Sequence, residues 1–126
     1  MTLLRGLSIG LFLVVCATDA GAKMNPVTRT GDYSLQQTDT VLWTPATGNR
    51  IWLAGCVLSK DATAATVQIE SANIDVIPPL YMQANTTESI LAGAAPFLWR
   101  GDANATLTVT TSAGGSVSVL CWGMED

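Results

Sequence analysis

The stretch Ala105-Thr-Leu-Thr-Val-Thr-Thr111 constrains this chain more than any other. Apolar Ala105, Leu107 and Val109 alternate with Thr106, Thr108 and Thr110, a period of two rich in Thr and Val that fits a half-buried strand and no helix. The same alternation recurs at Val117, Val119 and Cys121, at Val67 and Ile69, and at Ile74 and Val76. No part of the chain after the N-terminal leader sustains a 3.6-residue period with caps; Thr86 to Ala95 comes nearest and is interrupted by Gly.

Short strand-like segments centre on Tyr33–Gln36, Val41–Thr44, Arg50–Ser59, Ala65–Glu70, Ile74–Ile77, Leu80–Gln83, Glu88–Leu91, Phe97–Arg100, Ala105–Thr111 and Ser116–Trp122. About eight to nine true strands at this spacing predict an all-β fold, a single antiparallel β-sandwich of jelly-roll type. Pro78-Pro79 is expected to break its middle, since neither residue can donate to a ladder. Parity constrains the pairing further. If Leu107/Val109 and Val117/Val119 face one core, directly opposed residues are both odd-numbered and the loop between them has odd length, Ser112 to Gly114 or Ser112 to Ser116, in a meander of hairpins. For Val67/Ile69 against Ile74/Val76 the loop is even, Ser71-Ala72 or Glu70 to Asn73.

Ahead of the β-domain, residues 1–22 read as a signal-like leader: Arg5, an apolar run from Leu7 to Ala17, then small residues at Ala20 and Ala22. Cleavage is expected between Ala22 and Lys23. The run is too short for a stable membrane span, which needs about 20 apolar residues. Lipid attachment at Cys16 ranks second because Val15 before it is not small, and a buried helix of the domain is the structural alternative. Residues 23–31 carry no periodicity and are expected as a flexible arm, leaving 32–126 as the sandwich domain.

Composition narrows the function. Charged residues make up 13% of the chain, about half the usual share. A surface so poor in charge suits a subunit partly covered by partners, or a rigid extracellular β-protein. A net charge of −4 without a basic cluster argues against nucleic acid. The chain has no His, which removes the commonest general base and metal ligand and every Ser-His or Cys-His nucleophile pair. No enzyme and no cofactor are expected. Asp61, Glu70, Asp75, Glu88 and Asp102 are scattered over turns and outward positions, as solvated charges are, and Asp102 with Asn104 lacks a calcium-loop signature.

Once Cys16 leaves with the leader, Cys56 and Cys121 remain, in the first long strand and the last. They are read either as a disulfide, which an oxidising compartment would allow, or as two buried thiols. Trp43, Trp52, Trp99 and Trp122, with Tyr33 and Tyr81, are candidate core or interface residues, or a stacking platform for sugars. Arg100-Gly101-Asp102 spells an adhesion tripeptide but is also ordinary turn chemistry, and Asn85-Thr-Thr and Asn104-Ala-Thr match the N-glycosylation pattern.

The stretch Leu42-Trp43-Thr44-Pro45-Ala46-Thr47-Gly48-Asn49-Arg50-Ile51-Trp52-Leu53 resembles the opening of small β-sandwich domains of tailed-phage and environmental viral structural proteins. The matching features continue with Gln83-Ala84-Asn85, Ala95-Pro96-Phe97-Leu98-Trp99 and Ser116 to Gly123, so the likeness covers about residues 40 to 126. It implies a virion or appendage component that packs side by side, often as trimers. The leader departs from that pattern, because it points to export. The expected function is a non-enzymatic structural subunit of a virion or extracellular assembly, a homo-oligomer. The alternative is a secreted binding module that takes carbohydrate on exposed Trp.

Overall fold

The computed structural model describes residues 24–112 and 115–126, so the leader, its cleavage point between Ala22 and Lys23, and Gly114 lie outside the described residues. The described residues form nine strands and no helix: β1 (Asn25–Tyr33), β2 (Thr40–Trp43), β3 (Ile51–Lys60), β4 (Ala65–Ser71), β5 (Ile74–Met82), β6 (Thr87–Leu91), β7 (Trp99–Arg100), β8 (Leu107–Thr111) and β9 (Val117–Glu125). They make two antiparallel sheets, ordered β1-β9-β3-β6, with the short β7 also on β3, and β2-β8-β4-β5. The pairs nest as one long hairpin would: β4 with β5, β3 with β6, β2 with β8, β1 with β9. Folded over so that β9 meets β3 and β8 meets β4, this hairpin is the jelly roll that the strand spacing predicted.

Burial follows the alternation. Val117, Val119 and Cys121 of β9 point inward, as do Leu107 and Val109 of β8 and Val67 and Ile69 of β4. They close on Trp43, Ile51, Leu53, Leu58, Ile77 and Met82 to form one core between the sheets. Strand β3 is the exception to strict alternation. Its inward residues are Ile51 and Leu53, then Cys56 and Leu58, because a bulge between Leu53 and Gly55 inserts one residue and shifts the phase. The shift places Cys56 directly opposite Cys121, with Cα atoms 4.1 Å apart and the buried sulfurs at bonding distance.

Four local expectations are corrected. The expected arm at 23–31 is a strand from Asn25 onward, paired with β9 along its whole length; it contributes only Val27 and Tyr33 to the core, too few to show periodicity. Strands β8 and β9 do not form a hairpin. Leu107, Val109, Val117 and Val119 do share one core, but from opposite sheets, so the two strands are not partners and the parity rule has no pair to act on. The β4–β5 turn is even in length, as parity required, but its two residues are Ala72 and Asn73, both at positive φ, the conformation of a tight primed hairpin turn. Bulges beyond this turn make Ile77 the buried residue and leave Ile74 exposed. Finally, Pro78-Pro79 does not end a strand. Both residues lie within β5, opposite Gln68 at the register shift, on an edge where the missing N–H groups cost no ladder bond.

Candidate assembly face

Two polar clusters hold the ends of the sandwich. At one end Glu125, on the inward phase of β9, is buried. Its Oε1 accepts from Trp43 Nε1 at 2.7 Å and its Oε2 from the Ala46 amide at 3.0 Å. Burial alone would raise its pKa, but the bonds from Ala46, Trp43 and Asn49, with Arg29 nearby, outweigh that and hold it below the ordinary carboxylate value. The Arg29 guanidinium also lies over the Trp43 ring, 5.9 Å from its centroid. This cluster fixes the Trp43-Thr-Pro-Ala-Thr-Gly48 turn. Gly48 supplies the positive φ the turn needs, and its amide donates to Asn104 Oδ1.

At the other end the Lys60 side chain is fully buried, and its Nζ donates to Asp61 Oδ1 at 2.7 Å and to the Ser116 carbonyl at 3.1 Å. Asp61 also accepts from the amides of Thr63 and Ser116. The Lys60 bond, then the two amides, lower its pKa to about 2. Asp61 thus ties the β3–β4 loop to the β8–β9 loop, and its carbonyl accepts from Asn85 of the β5–β6 loop. The partnered acids here cross-link loops; they do not converge on a cleft. Among the described residues no cluster of three His, Cys, Asp or Glu is placed to hold a metal ion.

The two outer faces differ in chemistry. Across β2-β8-β4-β5, Glu70 and Asp75 are register partners bridged by Gln68, whose Nε2 donates to both, and Thr110 Oγ1 donates to Glu70 at 3.1 Å. That face is acidic. Across β1-β9-β3, extended by β6 above and β7 below, register sets four rows: Asp32, Ser118, Ser59 and Thr87; Thr30, Leu120, Val57 and Ser89; Thr28, Trp122, Gly55 and Leu91; Pro26, Met124, Trp52 and Arg100. In sixteen positions only Asp32 and Arg100 carry charge, and the Arg50–Asp126 ion pair (3.6 Å) sits just beyond the last row. This face is neutral overall in a chain of net charge −4. Its upper half holds an open trough of about 410 Å³ lined by Thr30, Asp32, Val57, Ser59, Ser118 and Leu120. Its lower half is aromatic: Trp122 lies over Gly55, where a Cβ would come within 2.6 Å of the ring, and Trp52 packs on Phe97 with centroids 5.2 Å apart.

The four tryptophans separate accordingly. Trp43 is core, fully buried, and makes no external contact, which corrects its reading as an interface or ligand residue. Trp52 and Trp122 are half-buried on the neutral face, and half-buried Trp99 packs against the core and covers Gly101. Among the described residues there is no exposed row of Trp. Tyr33 is half-buried, and burial together with the neighbouring Asp32 raises its pKa; Tyr81 is exposed on edge strand β5. Arg100-Gly101-Asp102 is not presented as a free loop. Arg100 lies over the Trp52 ring at 4.9 Å and Gly101 is buried beneath Trp99. Asn85 and Asn104 both occupy exposed turns at positive φ. The Glu125 cluster escaped the sequence reading, although a carboxylate on the inward phase of Val117, Val119 and Cys121 signals it: a buried charge requires donors.

No protein-family model matches the chain, and no curated protein matches it in sequence. Among solved structures the chain is similar to the Cyanophage Pam1 capsid asymmetric unit, at 16% identity over 82% of this chain and 87% of that one, with a TM-score of 0.47.

Proposed function

We propose that this protein is a non-enzymatic structural subunit, part of a virion or an extracellular assembly, that associates with further subunits through the outer face of the β1-β9-β3 sheet. The contrast between the two outer faces carries the reading. One face carries two carboxylates and no cation, with Val41 and Tyr81 exposed beside them; the other is neutral, apolar at its centre and open. Burying charge without a partner is costly, so a face without net charge is the one that can lose its water. The sequence likeness to phage structural domains supports the same role. The signal-like leader and the juxtaposed Cys56 and Cys121 support assembly outside the cytoplasm. The alternative, a carbohydrate module using exposed Trp, has less support, because Trp43 is core and the other three are half-buried.

Light scattering coupled to size-exclusion chromatography tests the proposal on the full chain. A mass that rises with concentration to a defined oligomer supports it, whereas a monomer that retards on glycan columns would overturn it.

A further inference from the structure

The assembly reading leaves open which arrangement the neutral face adopts; resting on that reading, the geometry points to a second copy of this chain docked face to face about a two-fold axis. The two charges of the face occupy opposite corners. Asp32 stands at the outer end of the first row, on β1, and Arg100 at the far end of the last row, on β7. From strand and row spacings these corners lie about 14 Å apart across the sheet and about 20 Å apart along it. A two-fold axis in the plane of the face, perpendicular to that diagonal, exchanges the corners. Arg100 of each copy then meets Asp32 of the other, which makes two identical ion pairs without any further charge being buried. Isologous contacts impose this reciprocity, and a face with one positive and one negative corner satisfies it.

The centre agrees with the corners. Leu120, Val57 and Trp122 sit about the axis, so apolar groups oppose apolar groups where desolvation is most complete. The same rotation carries the aromatic lower half of one copy over the trough of the other, where Thr30, Ser59 and Ser118 alternate with Val57 and Leu120. Four rows on four strand positions cover on the order of 500 Å² per copy, hence about 1,000 Å² in a pair, at the lower bound for a specific interface. The contact is therefore a modest, concentration-dependent one. The acidic outer face offers no such solution, since Glu70 and Asp75 supply no cation to a second copy.

The test is charge reversal on the full chain, read by sedimentation equilibrium from about 1 to about 100 µM, the range suited to a contact of this size. Asp32→Arg and Arg100→Asp each place like charges at both corners and are expected to weaken dimerisation at least about tenfold. The double variant Asp32→Arg/Arg100→Asp restores opposite charges and is expected to return to within about threefold of the original. Leu120→Glu, on the axis, is expected to give a monomer. Near-ultraviolet circular dichroism confirms that each variant is folded. Association that is indifferent to all four variants, or a trimer that the double variant does not rescue, overturns the two-fold arrangement while leaving the structural-subunit reading intact. A folded monomer at every concentration overturns both.

Discussion

Replacing Glu125 by leucine keeps the side chain's bulk and deletes both acceptors at the closed end of the sandwich. The Trp43 indole N–H, fully inside the core, would lose a 2.7 Å bond to a charged acceptor, and the Ala46 amide would lose one at 3.0 Å. A buried donor left without an acceptor costs about 1–3 kcal/mol, and the Ala46 amide, being partly buried, falls at the low end of that range. Leucine regains a little by burying apolar surface, so the net expectation is a loss of about 2–4 kcal/mol. In a domain of this size that lowers Tm by roughly 10–20 °C. Glu125→Gln should cost less, about 1–2 kcal/mol, because the amide oxygen still serves Trp43 while its NH₂ meets the Ala46 N–H.

The pH dependence separates the charge from the shape. The folded carboxyl titrates below its ordinary value of 4.5. Its contribution is therefore complete above that value and is lost as pH falls through the lower folded pKa. Urea denaturation of the native chain and of Glu125→Gln from pH 7 to pH 3 should show the gap between them closing only below about 4.5. Leucine at position 125 costing less than about 0.5 kcal/mol, or a gap that does not change with pH, would refute the assignment of Glu125 as the acceptor that holds the Trp43 turn.

Three further outcomes are expected. The Cys56–Cys121 pair closes a sequence separation of 65, so converting both to Ala should cost about 4 kcal/mol, and peptide mapping without reductant should recover the two residues cross-linked. Asp61→Asn should flatten the acid limb of stability: the folded pKa of about 2 lies below the unfolded 3.8, so the charge stabilises above that window and the benefit disappears as pH falls through it, which acid titration followed by circular dichroism will read. Deleting Ala54 should be absorbed, because it removes the bulge and restores simple alternation with Cys56 and Leu58 still inward, whereas deleting Val57 should turn Leu58 outward and cost several kcal/mol; thermal melts of the two variants distinguish the cases.

The strands that were legible in the sequence are those with one buried and one wet face. Ala105–Thr111 and Ser116–Trp122 announced themselves because the inward residues, Thr111 apart, are apolar and most of the outward ones are Ser or Thr. Strand β1 did not, because an outer strand covers little core and Asn-Pro-Val-Thr-Arg-Thr-Gly places a single apolar residue, Val27, on its inner side. Adjacency was harder still. A Gly-containing loop after Thr111 reads the same whether it returns the chain beside β8 or carries it across to the other sheet, and only the closure of the whole roll decides between them. The neutral face was visible only as a low overall charge. Its position depends on which residues are register partners across three strands, and that information is non-local.

The bulge at Ala54 and Gly55 shows why core and face must be understood together. With uninterrupted alternation from Ile51, Val57 would point inward and Cys56 and Leu58 outward. Cys121 is inward on β9, so the sulfurs would then lie on opposite sides of the sheet. One inserted residue corrects the phase, and it does three things together. It brings Cys56 to Cys121, returns Leu58 to the core, and sets Trp52 and Val57 on the same outer surface although their numbers differ in parity. Gly55 at that point leaves room for the Trp122 ring to lie across the strand. The neutral face is thus a consequence of the irregularity that aligns the cysteines. A chain that lost the bulge's phase would lose its cross-link, its core and the proposed docking surface in one step, which would tie assembly through that face to the integrity of the fold.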